Sequence, residues 1–320
     1  MTKSLICGGG GFIGSWLAKR LKTDGHWVRV ADLKYPEYDE SPADEFLITD
    51  LREYQNCLRA TDGVDFVWQL SASMGGIGWI TSHVAEIAHD NVLINAHMLE
   101  AARVNKVKKY LYSSSACIYP AGKQDDANVS PLKEEDAFPA DPEPGYGWEK
   151  LYSELLTGYY GKDYNLDVRI VRFHNVVGPL GTWDGGKEKA PAAICRKIAQ
   201  AEDGDTIDVW GDGEQTRSFM NVRDCCEGLV RLMDSDYHYP LNLGTDELVT
   251  VNQLVSRVAR ISGKTINTRH DLSKPTGVRG RNSCNDRIKE VLRWSPEITL
   301  DESLQELYPW IEQQVIARNG

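Results

Sequence analysis

Nowhere in the chain do about 18 consecutive apolar residues occur, which excludes a membrane-crossing helix on sequence grounds. The N-terminus carries no signal-like apolar stretch, and neither low-complexity tracts nor a fixed-period repeat interrupts the sequence. A long Lys/Arg block is also missing, and with a formal net charge of −11 this argues against a nucleic-acid or membrane-surface binder. Any anionic partner must then be met by local basic residues. The seven histidines form no HxxxH-like pair, and the only close cysteines are the adjacent Cys225 and Cys226, which read as helix packing, so no metal site is expected. Seven cysteines, an odd number, read as free thiols in a reducing compartment, with the cytoplasm as the expected location.

What is present is an alternation of short apolar runs and helical patterns. Lys3 to Cys7 is a strand, followed by a glycine cluster and a helical spacing at Ile13, Leu17 and Leu21. Further strands are expected at 27–32, 46–48, 65–70, 109–112 and 167–172. Strands alternating with helices argue for an α/β protein with a mainly parallel sheet covered on both faces. At 320 residues the chain exceeds the size at which one core stops growing, so two packed units are expected. The texture changes after Gly178-Pro179. The expected division is a first unit of residues 1–177, to which 222–247 return, and a smaller mixed α/β C-terminal unit of 178–221 and 248–320 that takes the substrate. Helices are expected at 190–201, 221–233, 251–261, around Ile288 and at 304–316.

Gly8, Gly11 and Gly14 have the spacing GxxGxxG between strand and helix, a variant of the dinucleotide fingerprint of a Rossmann-type doubly wound sheet. Glycine lets the backbone, including Phe12 and Ile13 at the helix start, approach a pyrophosphate whose charge faces the helix N-terminus. Asp32 closes the next strand, where a carboxylate can accept from ribose hydroxyls, and it favours NAD over NADP, although Lys34 nearby weakens that choice. Asp50 is expected either at the adenine edge or as a helix N-cap.

Tyr146 and Lys150 fall four apart on one helix face, a spacing at which the lysine charge favours the phenolate and can hold a ribose. The run Ser113-Ser114-Ser115 ends an earlier strand, and Cys117 follows it in SSACIYP. A lone cysteine at the mouth of a strand is commonly a small buried hydrophobe, and the residues alone leave that reading open.

With these motifs the chain resembles the extended short-chain dehydrogenase/reductase superfamily over essentially its full length. Ser115, Tyr146 and Lys150 match its catalytic triad, and NVVGP at 175–179, WGDGEQTRSF at 210–219 and Val222-Arg223-Asp224 match its nucleotide-sugar branch. The resemblance implies that Asn175 meets the substrate phosphates and Arg217 the diphosphate or adjoining ribose. Within the branch the chain is similar to the GDP-mannose 3,5-epimerases, through MGGIGW at 74–79, SSACIYP, GTWDGGKEKAPAA at 181–193 and GVRGRNS at 277–283. That likeness implies transient oxidation at C4 of the hexose by bound NAD, inversion at C5 and C3, and return of the hydride, with GDP-L-galactose as product and GDP-L-gulose from C5 alone. It also implies Cys117 and Lys189 as the acid/base pair. Their plainer alternatives are packing for the cysteine and a solvated charge run, Lys187 to Lys189, for the lysine.

Gly75, Gly76 and Gly78 are expected to bring backbone near the sugar, or else to serve a loop that needs positive φ. Arg279 and Arg281 supply positive charge for a diphosphate, with Arg281 as the direct ligand, or tie the C-terminal loop down. Ser71 replaces an alanine usual after the fourth strand, a tyrosine often found before the glycine is absent from Phe173 to Val177, and Asp184 is expected to alter the charge next to Lys187 and Lys189. His174 is expected to be a packed or hydrogen-bonding residue. A nucleotide-sugar 4,6-dehydratase is the second enzymatic reading, disfavoured because Ala116 and Cys117 stand where that group is usually acidic; a non-catalytic NAD-sensing protein is the third. By the same likeness a homodimer is expected through the helices around 88–103 and 146–160.

Overall fold

Seven short runs rich in apolar residues pair in parallel to make the central sheet. In the computed structural model, which describes residues 1–319, their spatial order is Pro240–Leu243, Asp167–Phe173, Lys109–Ser115, Phe66–Gln69, Lys3–Cys7, Trp27–Asp32 and Glu45–Ile48. Successive side chains on a strand point to opposite faces, so adjacent apolar residues signal a sheet buried on both sides. The neighbours Leu5 and Ile6, Val67 and Trp68, Tyr110 and Leu111, and Ile170 and Val171 indeed divide between two separate cores. One core is closed by the helices Phe12–Thr23 and Val222–Asp234, through Leu17, Leu21, Leu229 and Leu232, and the other by Val84–Val104, through Met98 and Leu99. The strand order reverses between Lys3–Cys7 and Phe66–Gln69, and a crevice opens at such a reversal beyond the carboxyl ends of the strands.

A third core, with Trp183, Ile194, Val209, Leu254, Leu304 and Ile311, gathers the amphipathic helices Ala190–Gln200, Val251–Ser262 and Leu300–Asn319. Short ladders support it. Thr206–Trp210 pairs with Asn267–Asp271, and Thr216–Arg217 lies between Val249–Thr250 and Gly280–Arg281. Among the described residues no helix is long and apolar enough to cross a membrane.

Two elements differ from the sequence expectation in ways that matter. The fifth strand runs on to Ser115 instead of ending at Tyr112, because Ser113, Ser114 and Ser115 continue the ladder opposite Val171, Arg172 and Phe173. Small hydroxyl residues read as a strand end, whereas the ladder satisfies their backbone groups in a buried setting. The last helix runs over Leu300–Asn319, beyond the expected 304–316 at both ends, and it continues through Pro309 because Leu304, Leu307, Tyr308 and Ile311 pack into the third core and outweigh the lost backbone bond.

Beside the sheet, Arg172 is buried and forms a two-pronged ion pair with Glu154, Nε to Oε2 at 3.0 Å and Nη2 to Oε1 at 2.6 Å, while Nη1 donates to the Tyr119 hydroxyl and the Glu134 carbonyl. Breaking one side of such a pair leaves an uncompensated buried charge. Glu154→Leu is therefore expected to cost about 3–5 kcal/mol, read as a lower urea midpoint at unchanged slope.

Candidate active site

The first helix starts at Gly11 with no side-chain cap and no acidic residue in its first turn, so its N-terminal amides and dipole are left for an anion. The glycines before it form a bare floor. Gly8 has φ of 82°, and a Cβ built on Gly14 would lie 2.3 Å from the Gly8 carbonyl oxygen. The Phe12 ring packs against Gly178 and Gly181, which ties this turn to the segment entering the third core, and Ile13 packs on the first core. The Asp32 carboxylate accepts from the Gly10 N–H at 2.9 Å and the Lys34 N–H at 3.3 Å. The Lys34 ammonium points to Glu37, 3.2 Å away, so its charge is already partnered. These residues fit an adenine dinucleotide: an uncapped helix N-terminus, a floor with no room for side chains, and a carboxylate at the end of the second strand. Asp50 accepts from the backbone and guanidinium of Arg52, which hold its carboxyl below the usual range. It is not a helix N-cap, since the next helix, Tyr54–Thr61, begins after Glu53.

Ser115, Cys117, Tyr146 and Lys150 meet at the carboxyl end of the fifth strand. The Ser115 hydroxyl accepts from the Cys117 N–H at 3.1 Å and starts a single tight turn over Ala116–Ile118. Helix Tyr146–Tyr164 lies hard against that turn: a Cβ on Gly147 would sit 2.4 Å from the Cys117 carbonyl oxygen. Lys150 is buried, donates from Nζ to the Ser113 carbonyl at 2.9 Å, and lies 5.8 Å from the Tyr146 ring centre. Burial pushes the Tyr146 phenol up, with Cys117 and Glu149 adding to it and the Ser115 hydroxyl opposing. Burial also pushes the Lys150 ammonium down. The chain's own groups therefore leave the phenol well above its ordinary range, with burial the largest cause.

Burial raises the Cys117 thiol too, countered by Arg281, while Glu143 adds to the rise. Lys189 stands at the start of helix Ala190–Gln200 and is open to water along a cleft, yet densely surrounded by protein, which pushes its ammonium pKa down, with Arg281 contributing. Its neighbours do not form a solvated charge run. Lys187 lies over the Trp79 ring at 3.8 Å, Glu188 pairs with Arg196 at 2.9 Å, and the Lys187 carbonyl accepts from the Gly76 N–H at 3.1 Å. This contact docks MGGIGW onto the Lys189 segment. None of Gly75, Gly76 and Gly78 has positive φ, so the turn reading is overturned; a Cβ on Gly76 would lie 2.8 Å from the Glu188 carbonyl oxygen, and close approach is what needs glycine there. Asp184 is paired with Arg196 and Arg318, so its charge, expected to act beside Lys187 and Lys189, is already offset by two guanidinium groups.

The basic residues part ways. Arg217 donates to the Thr216 and Thr276 carbonyls, and burial together with Arg281 lowers it to about 10, which keeps it charged at neutral pH. Asn175 donates from Nδ2 to the Ser218 carbonyl at 3.1 Å. Arg279 pairs with Asp212 on the surface. Arg281, expected as a direct diphosphate ligand, is instead enclosed: Nε donates to Gln124 at 2.5 Å, Nη2 to Glu143 at 2.9 Å, and Nη1 lies 3.4 Å from the Cys117 sulfur. His174 is buried beside Asn242 and held neutral, its pKa lowered to about 3 by burial. Cys225 and Cys226 are buried in helix packing, and no cluster of metal-ligating side chains occurs among the described residues.

Sequence reading missed Glu143 and Gln124. Neither belongs to a spacing pattern, and their partner Arg281 is 138 and 157 residues away. The only local cue is that Glu143 precedes Tyr146 by one helical turn.

The glycine turn yields a separation of fold from binding. Gly14→Ala forces the added carbon onto the Gly8 carbonyl and is expected to lower Tm by several degrees, about 2–4 °C per kcal/mol at this chain length. Gly11→Ala meets nothing nearer than 3.4 Å, so it is expected to keep Tm of the cofactor-free protein while weakening dinucleotide binding; calorimetry and NAD titration distinguish the two.

Residues 4–244 match a family described as the NAD dependent epimerase/dehydratase family. The chain is 48% identical over 316 residues to the GDP-mannose 3,5-epimerase of Arabidopsis thaliana, covering 98% of this chain and 83% of the relative. It is 47% identical over 312 residues to GDP-mannose 3,5-epimerase 1 of Oryza sativa subsp. japonica, covering 97% and 82%. In fold it is similar to a UDP-glucose 4-epimerase from Thermotoga maritima, with TM-score 0.88 at 23% identity, covering 98% of this chain and 100% of the other. A Thermus thermophilus UDP-glucose 4-epimerase in complex with NAD aligns with TM-score 0.84 at 20% identity, over 97% and 99%. By sequence, fold and the glycine turn with its acidic partner, the chain belongs to the NAD dependent epimerase/dehydratase family.

Proposed function

We propose that this protein epimerises GDP-mannose at C3 and C5 to GDP-L-galactose, releasing GDP-L-gulose when only C5 is inverted. The observation that carries this reading is that the Cys117 sulfur lies close enough to act electrostatically on Lys189, Tyr146 and Lys150, in a chain 48% identical to a GDP-mannose 3,5-epimerase. Gly8 to Gly14 and Asp32 would hold NAD, which would supply reversible hydride exchange at C4 of the hexose. Tyr146, ionised once the Lys150 ammonium and the positive charge of a bound nicotinamide offset its burial, takes the proton of the C4 hydroxyl, with the Ser115 hydroxyl orienting that group and Lys150 holding the ribose. A C–H beside the resulting ketone is acidic, so one of Cys117 and Lys189 removes the proton and the other delivers one to the opposite face of the ring. Arg217 and Asn175 serve the diphosphate end.

The cofactor unit in this reading comprises 1–177 with 222–247, supported by the pairing of Pro240–Leu243 with Asp167–Phe173; the substrate unit comprises 178–221 and 248–320, supported by its separate core. A 4,6-dehydratase is disfavoured, since Ala116 and Cys117 provide no carboxylate pair. The homodimer reading rests on helices Val84–Val104 and Tyr146–Tyr164, the second of which exposes Trp148, Tyr152, Leu155 and Tyr159 along one stripe. Seven free thiols are in keeping with a reducing cytoplasm.

Purified protein incubated with GDP-mannose in deuterium oxide is expected to place deuterium at C3 and C5 with no net NADH, as read by proton NMR and mass spectrometry. Cys117→Ser should slow exchange by about 10²–10⁴-fold. Burial moves the thiol up and the lysine down; because one of the pair must hold a proton while the other lacks one, exchange is expected to follow a bell-shaped pH profile whose two limbs belong to the pair. A 4-keto-6-deoxy product, or no exchange with NAD bound, would overturn the assignment.

A further inference from the structure

Glu143 is a largely enclosed carboxylate, its side chain 18% exposed, that the epimerisation steps do not use. Its backbone N–H donates to the Cys117 carbonyl at 3.2 Å, and its Oε1 accepts from Arg281 Nη2 at 2.9 Å. The other side of the same guanidinium is fixed by Gln124, which is fully buried, donates to the Tyr119 and Pro120 carbonyls, and accepts from Gly280 N–H through its own carbonyl at 3.0 Å. Held between Glu143 and Gln124, Arg281 presents Nη1 to the Cys117 sulfur at 3.4 Å.

The charges around the sulfur are lopsided. Arg281, from one of two paired short strands, acts on Cys117 directly together with the Ser115 hydroxyl, and Lys150, Lys189 and Arg217 lie close enough that the sulfur in turn acts on each of them. Glu143 is the carboxylate that acts on it. Burial favours the thiol and Arg281 opposes it; Glu143 offsets that guanidinium, and without the carboxylate the balance would move toward the thiolate, which accepts a proton but has none to give. Inversion at two carbons needs a group that does both.

Building on the epimerase reading, we propose that Glu143 is a positioning residue for Cys117: it clamps Arg281 against the sulfur and offsets the guanidinium charge, so that Cys117 rests as a thiol able to cycle its proton. Arg281 then stabilises the thiolate formed when the proton leaves, and the proton's return restores the thiol.

The test is the rate at which iodoacetamide alkylates Cys117 in the full-length protein across pH, followed by peptide mass spectrometry so that Cys284, the other cysteine that is not fully buried, is read separately. Glu143→Gln keeps an acceptor for Arg281 and removes the charge; its alkylation midpoint is expected about one unit lower, giving about tenfold faster alkylation near neutral pH. Glu143→Asp, which keeps the charge, should stay nearer the wild-type midpoint, and Arg281→Gln should move it up, with about tenfold slower alkylation. A Glu143→Gln profile that coincides with wild type, or moves up, overturns the proposal. Should that variant fail to fold, Gln124→Leu loosens Arg281 without touching a charge; slower alkylation supports the clamp and an unchanged rate overturns it. No sugar is present in this assay, so its failure is separate from a failure of the deuterium exchange that tests the epimerase.

Discussion

The site depends on how closely one helix approaches the end of one strand. Helix Tyr146–Tyr164 starts so near the turn after Lys109–Ser115 that Gly147 has no space for a side chain against the Cys117 carbonyl. That contact places the Tyr146 phenol, the Lys150 ammonium, the Ser115 hydroxyl and the Cys117 thiol around one point. Everything else in the cleft is brought to them: the Lys189 segment, docked through the Gly76 amide, and the C-terminal strand Gly280–Arg281, docked through Gln124. A parallel sheet makes this possible, because all seven strands deliver their carboxyl ends to the same edge.

Crowding of this kind has an electrostatic price. Burial shifts the phenol and the thiol upward and the two lysines downward, each toward its neutral form. All four groups ordinarily titrate above neutrality, so burial brings the lysines closer to it and leaves the phenol and thiol holding their protons until a charge or a bound group draws them off. Arg281 is the exception: the Cys117 and Glu143 groups beside it outweigh burial and keep it charged. A permanent cation next to a thiol, with a carboxylate behind it, lets the sulfur's proton affinity be set by a fixed framework.

Local pattern made much of the fold legible. Adjacent apolar residues on short runs meant a sheet buried on both faces, and the two cores divide those neighbours as the pleat requires. The glycine spacing with Asp32 and the YxxxK spacing with Ser115 were readable because each lies within one turn or one helix face. The unexpected extension of the strand to Ser115 had a tertiary cause, ladder pairing, and the last helix, expected over 304–316, holds through Pro309 by core packing. The positive-φ reading of MGGIGW failed because a Cβ there is excluded by the backbone of residue 188, more than a hundred positions along the chain.

Periodicity, turn chemistry and motif spacing are local properties, so the elements, the dinucleotide turn and the reactive residue types can be read along the chain. Which charges face which proton-exchanging group follows from the folded arrangement. It assigned Lys187 to Trp79, Asp184 to Arg196 and Arg318, and Arg281 to Cys117, Glu143 and Gln124. The physical reason is that an electrostatic environment depends on distance and burial, and the groups that set it here come from segments that no spacing in the sequence relates.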